Sequence, residues 1–406
     1  MYKLPYEEGT SGVISMTFTR KISIKLGTTM GSSSGGRMQR RDGGTNSRGI
    51  HMSKAMVAMS GGVDSSVAAS LLVLQGYETI GITLKLLDNE DIVEDGSRTC
   101  CSLDDVEYAR SVAFKIGIPY YVLNFTADFR KEVISRFADA YLKGMTPNPC
   151  LCCNRYIKFD KLLDRALQLG QDYMATGHYA NIELGAGGRV LLKEAADRNK
   201  DQTYVLYALT QKQLAHTLFP LGSLKKEEVR RIAAKNGLIN AKKPDSQDIC
   251  FVRDGDYAAF IERFTGMKSA PGDLTDADGK AFGRHKGIVH YTIGQRKGLG
   301  LSSKEPLYVI SKCPEKNTVA VGSIDGLYRR SLTVNDINLI AVDTIESAMR
   351  AKVKIRYSGQ AQPAVVEQVG SDRIHIEFDN PQFAIASGQA AVIYNDGYVV
   401  GGGTIK

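Results

Sequence analysis

Apolar and polar positions along the chain follow two different patterns, and the change falls near residue 180. Before it, short apolar runs alternate with segments of helical period. KAMVAM (54–59), TIGITLKLL (79–87), PYYVLNF (119–125) and DYMATGHYA (172–180) read as strands. VAASLLVLQGY is apolar at helical spacing and ends at Gly76. Val106, Ala109, Val112, Ala113 and Ile116 share one helical face, with Ser102 as N-cap, Asp105 in the capping-box position and Gly117 as the stop. A further helix is expected through Lys161–Leu169. Strands alternating with helices predict an α/β domain with a doubly wound parallel sheet. After Tyr179, YANIEL and RVLLKEA flank GAGG and read as a hairpin, and LKKEEVRRIAAKNGL reads as an amphipathic helix ending at Gly237. From about residue 284 the pattern is mostly period two, in KVKIRY, AVVEQV, RIHIEF and AAVIYN, as in a small antiparallel barrel. The expected division is 1–51 leader, 52–213 catalytic α/β domain, 214–283 central domain and 284–406 C-terminal β-barrel domain.

The first 51 residues are Gly/Ser/Arg-rich without apolar periodicity. They read as a leader or expression tag rather than a targeting peptide; the HM before Ser53 looks like a cloning scar, with Met52 as the natural start. This matters for charge. The formal net charge is +8, but residues 1–50 carry eight Lys/Arg against three Asp/Glu, so they supply +5 of it. Global charge is therefore poor evidence for nucleic-acid binding, and local patches must carry that argument. No stretch approaches the roughly 20 apolar residues that span a bilayer. Seven cysteines, an odd number with no secretory signal before them, point to the reducing cytoplasm and to chemistry, metal binding or burial rather than a disulfide framework.

SGGVDSS (Ser60–Ser66) sits between the first strand and the first helix. Its glycines let successive N–H groups face one point, its serines add hydroxyls, and the helix N-terminus adds partial positive charge. Those features suit a pyrophosphate. Asp64 would repel it unless a cation intervenes, which implies Mg²⁺. No Walker-type GxxxxGK[ST] is present. The bland reading is a Gly-containing turn with an ordinary cap. In this context the full string resembles the signature of the PP-loop ATP pyrophosphatases, whose fold is adenine-nucleotide-alpha-hydrolase-like. That resemblance implies ATP binding by Ala58, Met59, Ser60, Gly61, Gly62, Val63, Asp64 and Ser65, with Leu84 at the adenine and Gly177 beside the nucleotide.

TPNPCLCCNRYIKFD (146–160) and SQDICFV (246–252) place cysteines about a hundred residues apart. With CCSLDDVEYAR, ATGHYA, KDQTYVLY, YTIGQRKGLG, IRYSGQ and SGQAAVIY, they make the chain resemble the tRNA-specific 2-thiouridylase family from Met52 to its end. The resemblance implies adenylylation of O2 of the tRNA wobble uridine (U34), with sulfur supplied by a cysteine desulfurase or sulfur-relay protein. Cys250 would carry the persulfide. Cys153 would assist release, either by attacking the persulfide to leave a Cys153–Cys250 disulfide or by reducing it. Asn148, Pro149 and Cys150 match the stretch that touches the target base. Lys200, Asp201, Gln202, Arg356 and Tyr357 match tRNA contacts, and His178 and Gln389 match recognition positions. Arg155 and Lys158, close in sequence to Cys153, would favour its thiolate.

Two departures stand out. Cys150 occupies a position where many members of that family have Asp, so Cys150, Cys153 and Cys250 could instead ligate a [4Fe–4S] cluster with one open iron. Ser387 replaces a Pro before Gly388. Cys100, Cys101 and Cys152 read as packing residues and Cys313 as incidental. LKKEEVRR and NAKKP read as solvated charge runs. The competing functions are another PP-loop enzyme (a different RNA thiolase, ligase or amidotransferase) and a non-catalytic RNA-binding or sulfur-carrier protein.

Overall fold

The computed structural model describes residues 52–87, 103–245, 249–252 and 255–406. The leader, the packing roles of Cys100 and Cys101, the cap at Ser102 and the Ser246–Asp248 part of SQDICFV lie outside the described residues.

Strands β1 (Lys54–Ala58), β2 (Glu78–Lys85), β3 (Tyr120–Asn124) and β4 (Tyr173–Ala175) form a parallel sheet. Its order is β3-β2-β1-β4, and a short further strand (Thr217–Leu218) pairs on the far side of β4. The side-chain alternation of β1 serves both faces of the sheet. Ala55, Val57 and Met59 pack into one apolar core with helices α1 (Val63–Leu74) and α2 (Leu103–Ile116), while Met56 joins Phe129, Phe137 and Phe159 in another. Both helices end as their sequence requires, at Gly76 (φ +84°) and Gly117 (φ +75°). The chain proceeds outward from β1 to β3 and then returns beyond β1 to β4. The strand order therefore reverses between β1 and β4, which is where ligands of open α/β sheets bind.

The pattern understated the helices on the second face. Residues 126–142 and 149–168 are each continuously helical, so NPCLCCN opens a helix rather than a loop. Asn148 is its N-cap, accepting from the Cys150 N–H at 3.0 Å, and Pro149 fills the first turn. From Cys153 to Leu162 the winding is that of a π-helix, a rare form concentrated at functional sites.

The hairpin β5 (Asn181–Leu184) and β6 (Val190–Lys193) joins the C-terminal sheet through pairing of Lys193 with Tyr398. The strand Thr217–Leu218 is β7. A central four-stranded sheet of β8 (Gly272–Thr275), β9 (Ala281–His285), β10 (Tyr308–Cys313) and β11 (Thr318–Gly322) runs in the order β10-β11-β8-β9. The expected division at 283/284 falls within β9, and the one at 213/214 within the helix Gln211–Ala215.

The last six strands are β12 (Tyr328–Leu339), β13 (Met349–Lys354), β14 (Gln362–Gly370), β15 (Arg373–Phe383), β16 (Ala390–Asn395) and β17 (Tyr398–Ile405). They run antiparallel, and pairing of β12 with β17 closes them into a barrel around Val334, Val353, Val366, Ile374, Ile376 and Ile393. Closure removes the sheet's edges. Among the described residues, no helix is long and apolar enough to cross a membrane.

Candidate nucleotide and cysteine site

The loop after β1 is held from three sides. Gly61 has φ +72°, and a Cβ there would lie 2.3 Å from the Asp105 carbonyl oxygen. Gly177, just beyond β4, leaves no room for a side chain: a Cβ would meet the Ser65 nitrogen at 2.7 Å and the Asp64 carbonyl carbon at 2.8 Å. Asn240 donates to Gly61 O and to Ser66 Oγ, both at 2.9 Å. Within the loop, the Ser60 N–H donates to Ser65 Oγ at 3.2 Å, and the Ser65 hydroxyl donates to Gly62 O. No side chain caps α1, whose N-cap is Gly62, so its first-turn N–H groups remain available to an anion. Ala58 and Val63 flank this loop, and Leu84 is buried at the end of β2, beside β1.

The cation that Asp64 needs is supplied by the chain itself. Lys226 Nζ donates to both Asp64 oxygens at 2.7 and 2.8 Å, and Tyr179 donates its hydroxyl at 2.9 Å. Lys226 also meets Asp245 at 2.8 Å, and Asp245 takes Lys200 at 2.9 Å and Arg230 at 3.0 Å. Burial opposes the charged form of Asp245, but the hydrogen bonds from Lys226 and Lys200 outweigh it and lower its pKa. Asp64 is thus committed to Lys226 and Tyr179 and does not fit as a Mg²⁺ ligand in this arrangement. LKKEEVRR and NAKKP are not simply solvated: Lys226 is 7% exposed, Asn240 is 2% exposed, and Lys243 pairs with Asp105. Hydropathy periodicity hid these residues because a Lys buried for its charge looks like any surface Lys.

The cysteine segments border one apolar core. Cys152, Cys153, Ile249 and Cys250 pack against the cluster that holds Phe129, Phe137, Phe251 and Val252. The Phe251 ring meets Phe137 at 5.3 Å and Phe260 at 5.2 Å, which anchors the residue after Cys250. Cys150 is exposed on the first helical turn, whereas Cys153 is half-buried. Arg155 is held by Asp336 of β12 in a bidentate pair. Burial raises the pKa of the Cys152 thiol against the pull of Arg136 and Arg155, so Cys152 is a packing thiol. Lys158 bears on His178, whose pKa falls through burial first and that charge second. Among the described residues no group of three or more His, Cys, Asp or Glu gathers as a metal site, so Cys150, Cys153 and Cys250 do not form a cluster ligand set here.

The residues matched to tRNA contacts by the sequence resemblance divide. Tyr357 collects one group: its phenol pKa is raised by burial, then by nearby Asp201 and Cys150, while a hydrogen bond with Gln202 and the charge of Lys200 pull it down. Lys354 lies over the rings of Tyr357 at 5.6 Å and Tyr204 at 5.7 Å. Other residues face inward. Asp201 accepts from Ala195 N at 2.9 Å and from the Thr203 hydroxyl at 2.6 Å, holding its own turn. His178 is 8% exposed, 2.7 Å from Thr176 Oγ1 and packed on Phe159 and Phe219. Arg356 donates to Phe383 O. Gln389 donates to Thr146 O at 2.8 Å, and Ser387 O accepts from Thr146 N at 2.8 Å, so the barrel grips the segment that leads into Asn148.

Comparisons with known proteins place the chain in a family. Families described as tRNA methyl transferase HUP domain, tRNA methyl transferase PRC-barrel domain and aminomethyltransferase beta-barrel domain match residues 53–254, 258–323 and 329–405. A relative from Clostridioides difficile named tRNA-specific 2-thiouridylase MnmA is 51% identical over 355 residues, covering 87% of this chain and 98% of its own. One of the same name from Acetivibrio thermocellus is 51% identical over 358 residues, covering 87% and 99%. A solved NMN synthetase from Francisella tularensis aligns at a TM-score of 0.31 with 15% identity over 54% of this chain and 80% of that one, too loosely to add to the argument. With half of the aligned residues identical to these relatives along almost their whole length, the chain belongs to the tRNA-specific 2-thiouridylase family.

Proposed function

We propose that this protein is an ATP-dependent sulfurtransferase that converts the wobble uridine of tRNA to 2-thiouridine through an adenylylated base and a Cys250 persulfide. The observation that carries the reading is the position of Lys200. Its ammonium pairs with Asp245 in the Lys226–Asp64 network, and its charge also acts on Tyr357, beside Gln202 and Cys150. One side chain thus borders both the anion loop and the surface that would receive a base.

In this reading the uncapped N-terminus of α1, with the amides of Ser60–Ser65, binds the ATP phosphates. Uridine O2 attacks the α-phosphorus, pyrophosphate departs, and O2 becomes a leaving group. The terminal sulfur of the Cys250 persulfide attacks C2 and AMP is released. The Cys153 thiolate then attacks Cys250 Sγ, the S–S bond to the base breaks, and 2-thiouridine leaves with a Cys153–Cys250 disulfide behind. A cellular thiol reduces that disulfide, and a cysteine desulfurase or sulfur-relay protein reloads Cys250, which suits a cytoplasmic setting. Tyr357 offers a stacking ring next to Lys354 and Lys200, a usual combination for an unstacked RNA base. Asn148 and Pro149 set the helix that presents Cys150 and Cys153. Gln389 and His178 act by holding that helix in place. No step here runs through Mg²⁺ or an iron–sulfur cluster.

The test is sulfur incorporation into unmodified tRNA by the purified full chain, given ATP and a persulfide source. The expected result is wobble 2-thiouridine with one AMP and one pyrophosphate per sulfur, abolished by Asp64→Ala. Thiolation without ATP, or methyl transfer to the same RNA from S-adenosylmethionine, would overturn it.

A further inference from the structure

The residues of the loop after β1 least able to hold their own shape are Gly61 and Gly62. Gly61 has φ +72° and Gly62 has φ −82°, and the peptide bond between them is trans. Neither residue carries a Cβ, so turning that peptide over costs little sterically. The two orientations are not equivalent for an anion. A planar trans peptide points its C=O and N–H in opposite directions. One orientation offers a phosphate the Gly62 N–H; the other offers it a carbonyl oxygen, which repels it.

Asn240 selects between them. Its Nδ2 donates to Gly61 O and to Ser66 Oγ, both at 2.9 Å, and Lys243 Nζ donates to the same carbonyl at 3.5 Å. Asn240 is 2% exposed and Gly61 is buried, whereas Gly62 is half-buried. The Gly61 carbonyl is therefore turned inward and the Gly62 N–H toward the open side of the loop. The Asn240 amide cannot be reversed, because Gly61 O takes only donors. It keeps this orientation although its own Oδ1 is buried with no hydrogen-bond partner among the described residues, an arrangement folded proteins ordinarily avoid. The turn that carries Asn240 is braced from two helices. Arg230, on the helix Lys226–Lys235, donates to Ala241 O at 3.3 Å and Lys243 O at 3.2 Å. Lys115 of α2 donates to Gly237 O at 2.6 Å.

We propose that Asn240 is a positioning residue for the phosphate loop: it holds the Gly61 carbonyl inward and so keeps the Gly62 N–H aimed at the nucleotide. Asn240 acts through Gly61 and touches no phosphate itself. This rests on the reading of the loop as the ATP phosphate site.

The experiment is equilibrium binding of ATP to the full chain, with adenosine measured by competition. Asn240→Ala should weaken ATP about tenfold and leave adenosine unchanged, since adenosine carries no phosphate. A second arm uses Gly62→Ala. Turning the peptide over takes φ of residue 62 from −82° to about +100°, which alanine disfavours. In the Gly62→Ala background, Asn240→Ala should therefore cost about threefold or less. A side chain that merely supports the fold would show the same factor in both backgrounds. An unchanged ATP affinity in Asn240→Ala, an equal loss for adenosine, or an undiminished factor beside Gly62→Ala would overturn the proposal. A wild-type chain that binds ATP no more tightly than adenosine would instead refute the phosphate-loop reading. That result is distinct from an ATP-preferring chain indifferent to Asn240.

Discussion

The ammonium of Lys226 neutralises Asp64 at the mouth of an anion site, from a side chain that is 9% exposed. Lys226→Met would leave Asp64 with the Tyr179 hydroxyl and no cation. Breaking a fully buried pair costs about 3–5 kcal/mol; with the Asp64 side chain 30% exposed, the expected loss is nearer 2 kcal/mol. Chemical denaturation should show that loss, and Lys226→Met combined with Asp64→Asn should lose less than the sum of the two single changes. His178 adds a pH signature. Burial lowers its folded pKa below the ordinary 6.5, so its contribution to stability is complete above that value and is lost as pH falls toward the folded pKa. His285 shifts in the same direction, again mainly through burial. The denaturation midpoint should therefore decline below about pH 6.5, and His178→Gln should flatten the decline. These residues were poorly legible beforehand. Asp64 and the loop glycines stood out because their spacing is local, whereas Lys226 works through Asp64, 162 residues away, and Asp245 through Lys200 and Arg230, 45 and 15 residues away.

At the level of elements, the helix that begins at Asn148 is set by contacts from segments distant in sequence. The Gln389 amide donates to Thr146 O at 2.8 Å, Gly388 packs on Met145 and Thr146, and Asn154 donates to Val205 O at 3.0 Å. Gln389→Ala removes one hydrogen bond, worth about 1 kcal/mol. It should lower the thiolation rate severalfold while leaving the KM for ATP unchanged, because the loop after β1 shares no contact with it. Equal losses in both parameters would assign Gln389 a different part. The strands of the parallel sheet and of the barrel were readable because their apolar period is strong. The helical start of NPCLCCN was not, since Pro and Asn read as loop formers although they serve here as first-turn residue and cap. The two-residue β7 gave no pattern at all.

Over the whole molecule, the parallel sheet supplies the candidate phosphate loop at its reversal of strand order, and the barrel supplies Tyr357, Lys354 and the grip on the cysteine helix. Arg155 on that helix and Asp336 on β12 form the charged link between the two parts. Fold class, barrel and family were all legible in the sequence, because each is written in long periodic runs or in contiguous motifs. What was not legible is the convergence of these parts on Lys200 and Asp245, which depends on folding three distant segments together. Tyr357→Ala should weaken tRNA binding without changing ATP-dependent behaviour of the loop, as read by equilibrium titration of each ligand. The central claim is that sulfur passes from Cys250 to the base with Cys153 completing its release. A single-turnover transfer tests it most directly: the full chain, carrying ³⁵S-labelled persulfide on Cys250, is mixed with unmodified tRNA and ATP. The account predicts one label per tRNA in 2-thiouridine, a Cys153–Cys250 disulfide in the spent protein, and label retained on a stalled RNA adduct in Cys153→Ser. Label that stays on the wild-type protein, or normal release of thiolated tRNA by Cys153→Ser, would contradict it.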